Sequence, residues 1–230
     1  MNLLRRHKHA ILLAALIVAV LVESFSHWQV LGPVLSDLAI VTMLLVSLIV
    51  FVRWVNRLVA FMACGTVVVV DWAHYMLPSY PEATLQLIYH STVLLMVGFA
   101  TLVILGNIFE QRVVRVDDVL GAVCGYLLAA IAWSNLFMLI EMFAPGSFSL
   151  GLGIGAGGDT WPGRIAVLHY VSLGALTGLG SGAVVPVRPP VTILTTLEAV
   201  FGQFYIAIVV ARLVGARLSQ APPRQSSPQA

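Results

Sequence analysis

Arg164–Thr177 reads RIAVLHYVSLGALT and is followed by Gly178-Leu179-Gly180-Ser181-Gly182-Ala183-Val184-Val185-Pro186. The first part has the pattern of a helix of about 14 residues, about 21 Å long, which is too short to cross a bilayer. It is also too apolar for a solvated loop. The second part is glycine-rich extended chain. Non-helical backbone at membrane depth is tolerated only where it is buried in protein or lines a water-filled cavity. A short helix leading into such a chain is the pattern of a re-entrant loop. Glycine there permits dihedrals that aim successive carbonyls at one axis.

The surrounding composition fits that environment. Of 230 residues, 60% are hydrophobic and 10% charged, with a mean hydropathy of +0.97. A soluble domain carries about a quarter charged residues, so a water-soluble globular enzyme is excluded. The net charge is +2, and the basic residues are scattered rather than patched, which argues against a nucleic-acid partner. Cys64 and Cys124 lie in apolar runs and imply no disulfide framework. No H-E-x-x-H, G-x-S-x-G or depth-matched Ser–Lys pair appears, so the sequence offers no catalytic constellation, metal site or cofactor motif.

Six apolar runs are long enough to span: Ala10–Trp28, Val34–Val55, Leu58–Leu77, Leu85–Phe109, Val119–Phe143 and Val191–Val214. Gly32-Pro33, Pro78-Ser79-Tyr80-Pro81 and Pro145-Gly146 punctuate them. The first run also resembles a signal peptide with a small-x-small site at Ser24-Phe25-Ser26. Apolar residues continue past that site to Val30, which favours a retained anchor. With the N-terminus in the cytoplasm and six crossings, ten basic residues fall inside and only Arg164 and Arg188 outside. Both termini are therefore expected in the cytoplasm of a multi-pass protein of the cell membrane. Gly151–Asp159 holds five glycines in nine residues and reads as a flexible external loop, since no strand precedes it to make a phosphate cradle. Residues 219–230, rich in Pro, Ser and Gln, read as a disordered tail.

Polar residues inside the spans each need an explanation, because a charge at mid-bilayer costs roughly 2.5–3.5 kcal/mol on insertion scales. Asp71 and His74 share a face of the third span, and an antiparallel hairpin would bring His90 to similar depth. Two readings stand: a satisfied polar cluster, or a pH-sensitive switch built on a histidine beside a carboxylate. Gly121 and Gly125 form a small-x3-small pair suited to close helix packing. The fourth span holds no Lys or Arg, so no arginine-driven voltage sensing is expected.

Leu168–Gly215 resembles the pore module of the potassium-channel superfamily, in particular the bacterial two-transmembrane members. The likeness rests on Leu197-Glu198-Ala199, Gly202-Gln203 and Ala211-Arg212-Leu213-Val214-Gly215 in the inner helix, and on Asp117-Asp118-Val119-Leu120-Gly121-Ala122 at the start of the outer one. It implies a pore helix, a selectivity filter at Thr177, Gly178, Leu179, Gly180, Ser181 and Gly182, and assembly as a homotetramer. In the family pattern T-T-x-G-Y-G-D, Gly178 replaces a threonine, Ser181 the tyrosine and Ala183 the aspartate. These departures remove hydroxyl ligands, a packing ring and outer-mouth charge, so poor discrimination of potassium from sodium is expected. The resemblance also makes Glu198 a brace to the pore helix through His169, Tyr170 or Ser172, or else a residue facing the conduction path. Gly202 becomes an inner-helix hinge or a packing contact.

The expected architecture is thus an all-α integral membrane protein with six transmembrane helices and a re-entrant pore helix and filter loop between helices five and six. Residues 1–116 form a four-helix peripheral bundle, 117–218 the pore module and 219–230 the tail. The expected function is passive, weakly selective permeation of a monovalent cation by a tetramer embedded in membrane lipids. Three alternatives stay open: a non-conducting scaffold or auxiliary subunit that keeps the pore fold, co-assembly with another channel subunit, and anion permeation favoured by Arg164 and Arg188.

Overall fold

The computed structural model describes residues 8–23, 65–66, 69, 81–110, 116–150, 161–180 and 182–219. Among them are α1 (Lys8–Glu23), α2 (Glu82–Glu110), α3 (Val116–Phe143), β1 (Phe148–Leu150), α4 (Trp161–Thr177), β2 (Val184–Pro186) and α5 (Pro189–Ser219). The protein is mainly helical. Within α2, α3 and α5, the stretches Glu82–Asn107, Asp118–Phe143 and Pro189–Arg212 are long and apolar enough to cross a membrane. The predicted run Val34–Val55 and most of Leu58–Leu77, with Asp71 and His74, lie outside the described residues, as do Gly151–Asp159, Ser181 and residues 220–230.

Helix ends follow local chemistry. The Pro81 carbonyl accepts from the Thr84 and Leu85 amides to open α2, and Glu82 places negative charge at its N-terminus. Pro189 and Pro190 open α5, where a missing N–H costs nothing. The Arg188 carbonyl accepts the amides of Val191 and Thr192 there. After α3, Gly146 takes a φ of 76° and turns the chain into β1.

Helix α3 is the hub and packs against α1, α2, α4 and α5. One apolar cluster joins Leu12 and Leu16 of α1, Val97 and Ile104 of α2, Cys124 and Leu128 of α3, and Tyr205 and Val209 of α5. A second gathers Phe137 and Met138 of α3 with Phe148, Leu168, Val171, Val184 and Val191. Two features go beyond the sequence expectation. Helix α4 begins at Trp161 rather than Arg164, with Pro162 in its first turn. The second is a small antiparallel ladder, which pairs Phe148 with Pro186, Ser149 with Val185 and Leu150 with Val184.

The path of α4 follows from its contacts with α3. Arg164 meets Glu141, Ser172 Oγ donates to the Ala130 carbonyl, and the Leu176 carbonyl accepts from Tyr126. Partners that rise in number along α4 fall in number along α3, so the two run antiparallel. From Glu141 to Tyr126 is about 22 Å of helix. The chain then returns: Val184 packs with Phe137 and Met138, and the Val187 amide donates to the Ser147 carbonyl. The eight residues from Leu176 to Val184 reach at most about 26–29 Å. The stretch is not the extended chain expected from the sequence: Gly178 and Gly180 bond back to α4 at positive φ and Gly182-Ala183 form a turn, so the extended part is β2 alone.

Candidate functional site: the Thr177–Gly182 turn

The turn at the foot of α4 is shaped by the carbonyls that a helix leaves unpaired at its C-terminus. Ala175 O accepts from the Gly178 amide at 3.1 Å, and Gly174 O from the Gly180 amide at 3.0 Å. Leu176 O accepts the Tyr126 hydroxyl at 2.7 Å. Thr177 Oγ1 donates back to Leu173 O at 2.7 Å, which leaves its lone pairs outward. Gly178, Gly180 and Gly182 take φ values of 74°, 79° and 33°, a region that side-chain-bearing residues rarely enter.

A consequence for the carbonyls follows. No peptide bond here is cis, and in a trans peptide the C=O points opposite to the N–H. The Gly178 and Gly180 amides point back at α4, so the carbonyls of Thr177 and Leu179 point away from it. Thr177, Gly178, Leu179 and Gly180 are all exposed, Leu179 to 84%. The negative end of the α4 dipole stands behind this turn and favours a cation over an anion.

Side chains of α3 and α5 lie behind the turn. Glu198 is fully buried, and its Oε1 meets Ser172 Oγ, one of the three partners the sequence offered. Its other oxygen has no hydrogen-bond partner among the described residues. His169 is buried on α4, whereas Tyr170, on the same helix, is about half exposed. Tyr126 and Tyr205 lie with ring centroids 5.3 Å apart, and Tyr205 Oη donates to Ala122 O at 2.7 Å. Gly202 lets α5 approach most closely: a Cβ there would sit 2.8 Å from both the Cα and the carbonyl carbon of Leu176. Gly125 is similarly confined, with Tyr205 Oη 2.7 Å from where its Cβ would lie.

Sequence reasoning missed Glu141. Its carboxylate pairs with Arg164 and accepts the amides of Gly146 at 2.9 Å, Ser147 at 3.0 Å and Phe148 at 3.3 Å. That clamp ties the end of α3 to both the ladder and the start of α4. Its position near a span end hid it, because solvent would satisfy a carboxylate there. Tyr126, Tyr205 and Gln203 were not singled out as site residues either. The sequence signals were two tyrosines in mid-span and the Gly202-Gln203 pair, part of the family likeness, in which Gln203 had no role of its own.

The proposed polar cluster is placed only in part. His90 Nδ1 lies 2.8 Å from Asn135 Oδ1 of α3, and its ring meets Tyr89 edge-on. Asn135 is thus one of its partners, while Asp71 and His74 lie outside the described residues. No protein-family model, curated protein or solved structure matches the chain.

Proposed function

We propose that the chain is one subunit of a fourfold ion channel through which monovalent cations pass, with weak selectivity, along Thr177–Gly182. The observation that carries this reading is the exposed turn itself, with the carbonyls of Thr177 and Leu179 aimed away from α4 and a positive-φ glycine after each. At membrane depth such backbone needs water or protein around it. Four copies meeting at the turn would supply both. The reading includes six spans in the cell membrane, α4 with its return strand as a re-entrant loop, and both termini in the cytoplasm. The resemblance of Leu168–Gly215 to the potassium-channel pore module points the same way.

Charge supports cations over anions. Of the two basic residues that favoured an anion path, Arg164 is matched by Glu141, and Arg188 is turned onto the Pro145 carbonyl at 3.0 Å. The α4 C-terminus adds negative potential at the turn.

The deciding experiment is flux through purified protein in liposomes under potassium, sodium and chloride gradients in turn, with Gly180→Trp as the blocked variant. Cation flux in the native chain, lost in Gly180→Trp, with tetramer mass in detergent, is the expected result. No flux at any pH or voltage, or a monomer by mass, would overturn it in favour of a non-conducting scaffold that keeps the same fold.

A further inference from the structure

The inner end of the turn carries a second polar group, contributed by α5. A Cβ built on Gly178 would lie 3.2 Å from Nε2 of Gln203, so the side-chain amide lies beside the turn with its NH2 on the Gly178 side, and Oε1 is the atom left to act as a ligand. Gln203 is exposed, and it is not alone. Between Val191 and Val214 the exposed polar side chains of α5 are Thr192, Thr196 and Gln203. At 100° per residue they fall within about 40° of one another. Over the same half of the helix the exposed Ile193, Leu197 and Phe204 centre about 100° further round, whereas further along α5 the exposed Val210 and Val214 continue the line of the polar residues. From Thr192 to Gln203, α5 thus presents a polar stripe whose last member lies beside the turn.

We propose that the Gln203 amides of the assembled subunits form a collar at the inner end of the turn, and that this collar binds a partly dehydrated monovalent cation. The inference rests on the channel reading above and adds to it a site and a residue. An amide oxygen is a neutral, hard ligand of the same kind as the backbone carbonyls that replace an ion's hydration shell in selective pores. It suits ions that shed water easily, whereas magnesium gives up its water reluctantly. The collar lies next to the carbonyl end of α4, whose dipole adds to the attraction. The Thr192 and Thr196 hydroxyls donate to carbonyls four residues back, leaving their lone pairs on the same stripe.

The experiment compares Gln203→Leu, Gln203→Glu and the remote surface variant Leu95→Ala with the native chain. Two readouts are used: liposome flux of potassium, rubidium and sodium, and the rise in melting temperature of the detergent-purified protein when rubidium replaces choline. A ligand held by the native state raises its melting point whether or not the pathway is open. Gln203→Leu is expected to lower cation flux about tenfold, equivalent to a barrier about 1.4 kcal/mol higher, and to lose the rubidium-dependent shift. Gln203→Glu would keep flux but become sensitive to block by magnesium, as a ring of carboxylates binds divalent ions. Leu95→Ala should behave as native. Native-like flux and rubidium shift in both Gln203 variants would overturn the collar and leave the channel reading intact, provided Gly180→Trp still blocks. Absence of both flux and shift in the native chain would overturn the two together. A shift without flux that Gln203→Leu abolishes would keep the ion site and remove conduction.

Discussion

Replacing Gly202 by alanine tests how the turn is held. Its Cβ would lie 2.8 Å from the Cα and carbonyl carbon of Leu176, against the 3.5–4.0 Å or so of an unstrained carbon contact. Backbone atoms cannot rotate aside, so α5 and the foot of α4 must separate by about 0.7–1 Å to restore ordinary contact. Overpacking of this kind costs about 1–3 kcal/mol. Strain on the Tyr126–Leu176 hydrogen bond adds up to about 1 kcal/mol, and the better helix propensity of alanine returns up to about 1 kcal/mol. The net loss is about 1–3 kcal/mol, or roughly 3–10 °C in melting temperature for a chain of this size. Gly215→Ala is the matched control. It lies on the same helix and its Cβ would meet nothing within 4 Å among the described residues, so it gains propensity without a clash there. Thermal unfolding of both variants in detergent, followed by the loss of the intact species on size exclusion, gives the comparison. A Gly202→Ala protein as stable as Gly215→Ala would refute the close approach of α5 to Leu176.

Other expectations follow from the same contacts. Glu141→Ala leaves three backbone amides and Arg164 without their acceptor, so thermal unfolding should show a loss of about 3–5 kcal/mol. A double-mutant cycle with Arg164→Ala should return a coupling of at least about 0.5 kcal/mol, and additivity would refute the pair. Tyr126→Phe removes one hydroxyl bond to Leu176 and should cost about 1 kcal/mol. Tyr205→Phe should cost about the same through Ala122, and either variant matching native stability would remove that bond from the account. His90→Gln keeps a group able to bond Asn135. If flux responds to pH through this histidine, the response should disappear in the variant, and an unchanged profile would refute the switch.

What the sequence made legible was whatever repeats or runs long. Leu85–Phe109, Val119–Phe143 and Val191–Val214 are long, mainly apolar runs, and each falls inside a described helix of 28–31 residues. Helix α4 was legible because it is apolar yet too short to span, and its start slipped three residues because Pro162-Gly163 looks like a turn. The ladder of Phe148–Leu150 with Val184–Pro186 was not legible, since strands of three residues are too short to show alternation. Nor were the tyrosine hydrogen bonds behind the turn. Tyr126 and Leu176 are 50 residues apart and Tyr205 and Ala122 are 83 apart, and no local pattern marks which carbonyl a tyrosine will find. Gly178 was read as a missing threonine. Its φ of 74° and the nearby Gln203 amide give a physical reason: a β-branched residue there would be strained and crowded.

The energetics of the exposed turn bear on why copies would gather around it. A polar group moved from water to an apolar medium without a partner costs roughly 2–7 kcal/mol. The carbonyls of Thr177 and Leu179, set against lipid in a single copy, would therefore cost several kcal/mol together, and the amide of Gln203 would add to that. The apolar face of α5 carries no such cost in lipid, because hydrocarbon suits Ile193, Leu197 and Phe204 as well as protein does. Hydrophobic burial thus gives little reason for association, and the polar stripe gives a strong one. Assembly that turned the stripe toward lipid would keep the cost, whereas assembly that turned it inward would remove it and leave the apolar residues facing lipid or a neighbouring helix. On the channel reading, the polar residues Thr192, Thr196 and Gln203, about 100° from Ile193, Leu197 and Phe204, would favour the orientation with stripe and turn to the axis, and the exposed Val210 and Val214 would then line the same side further along.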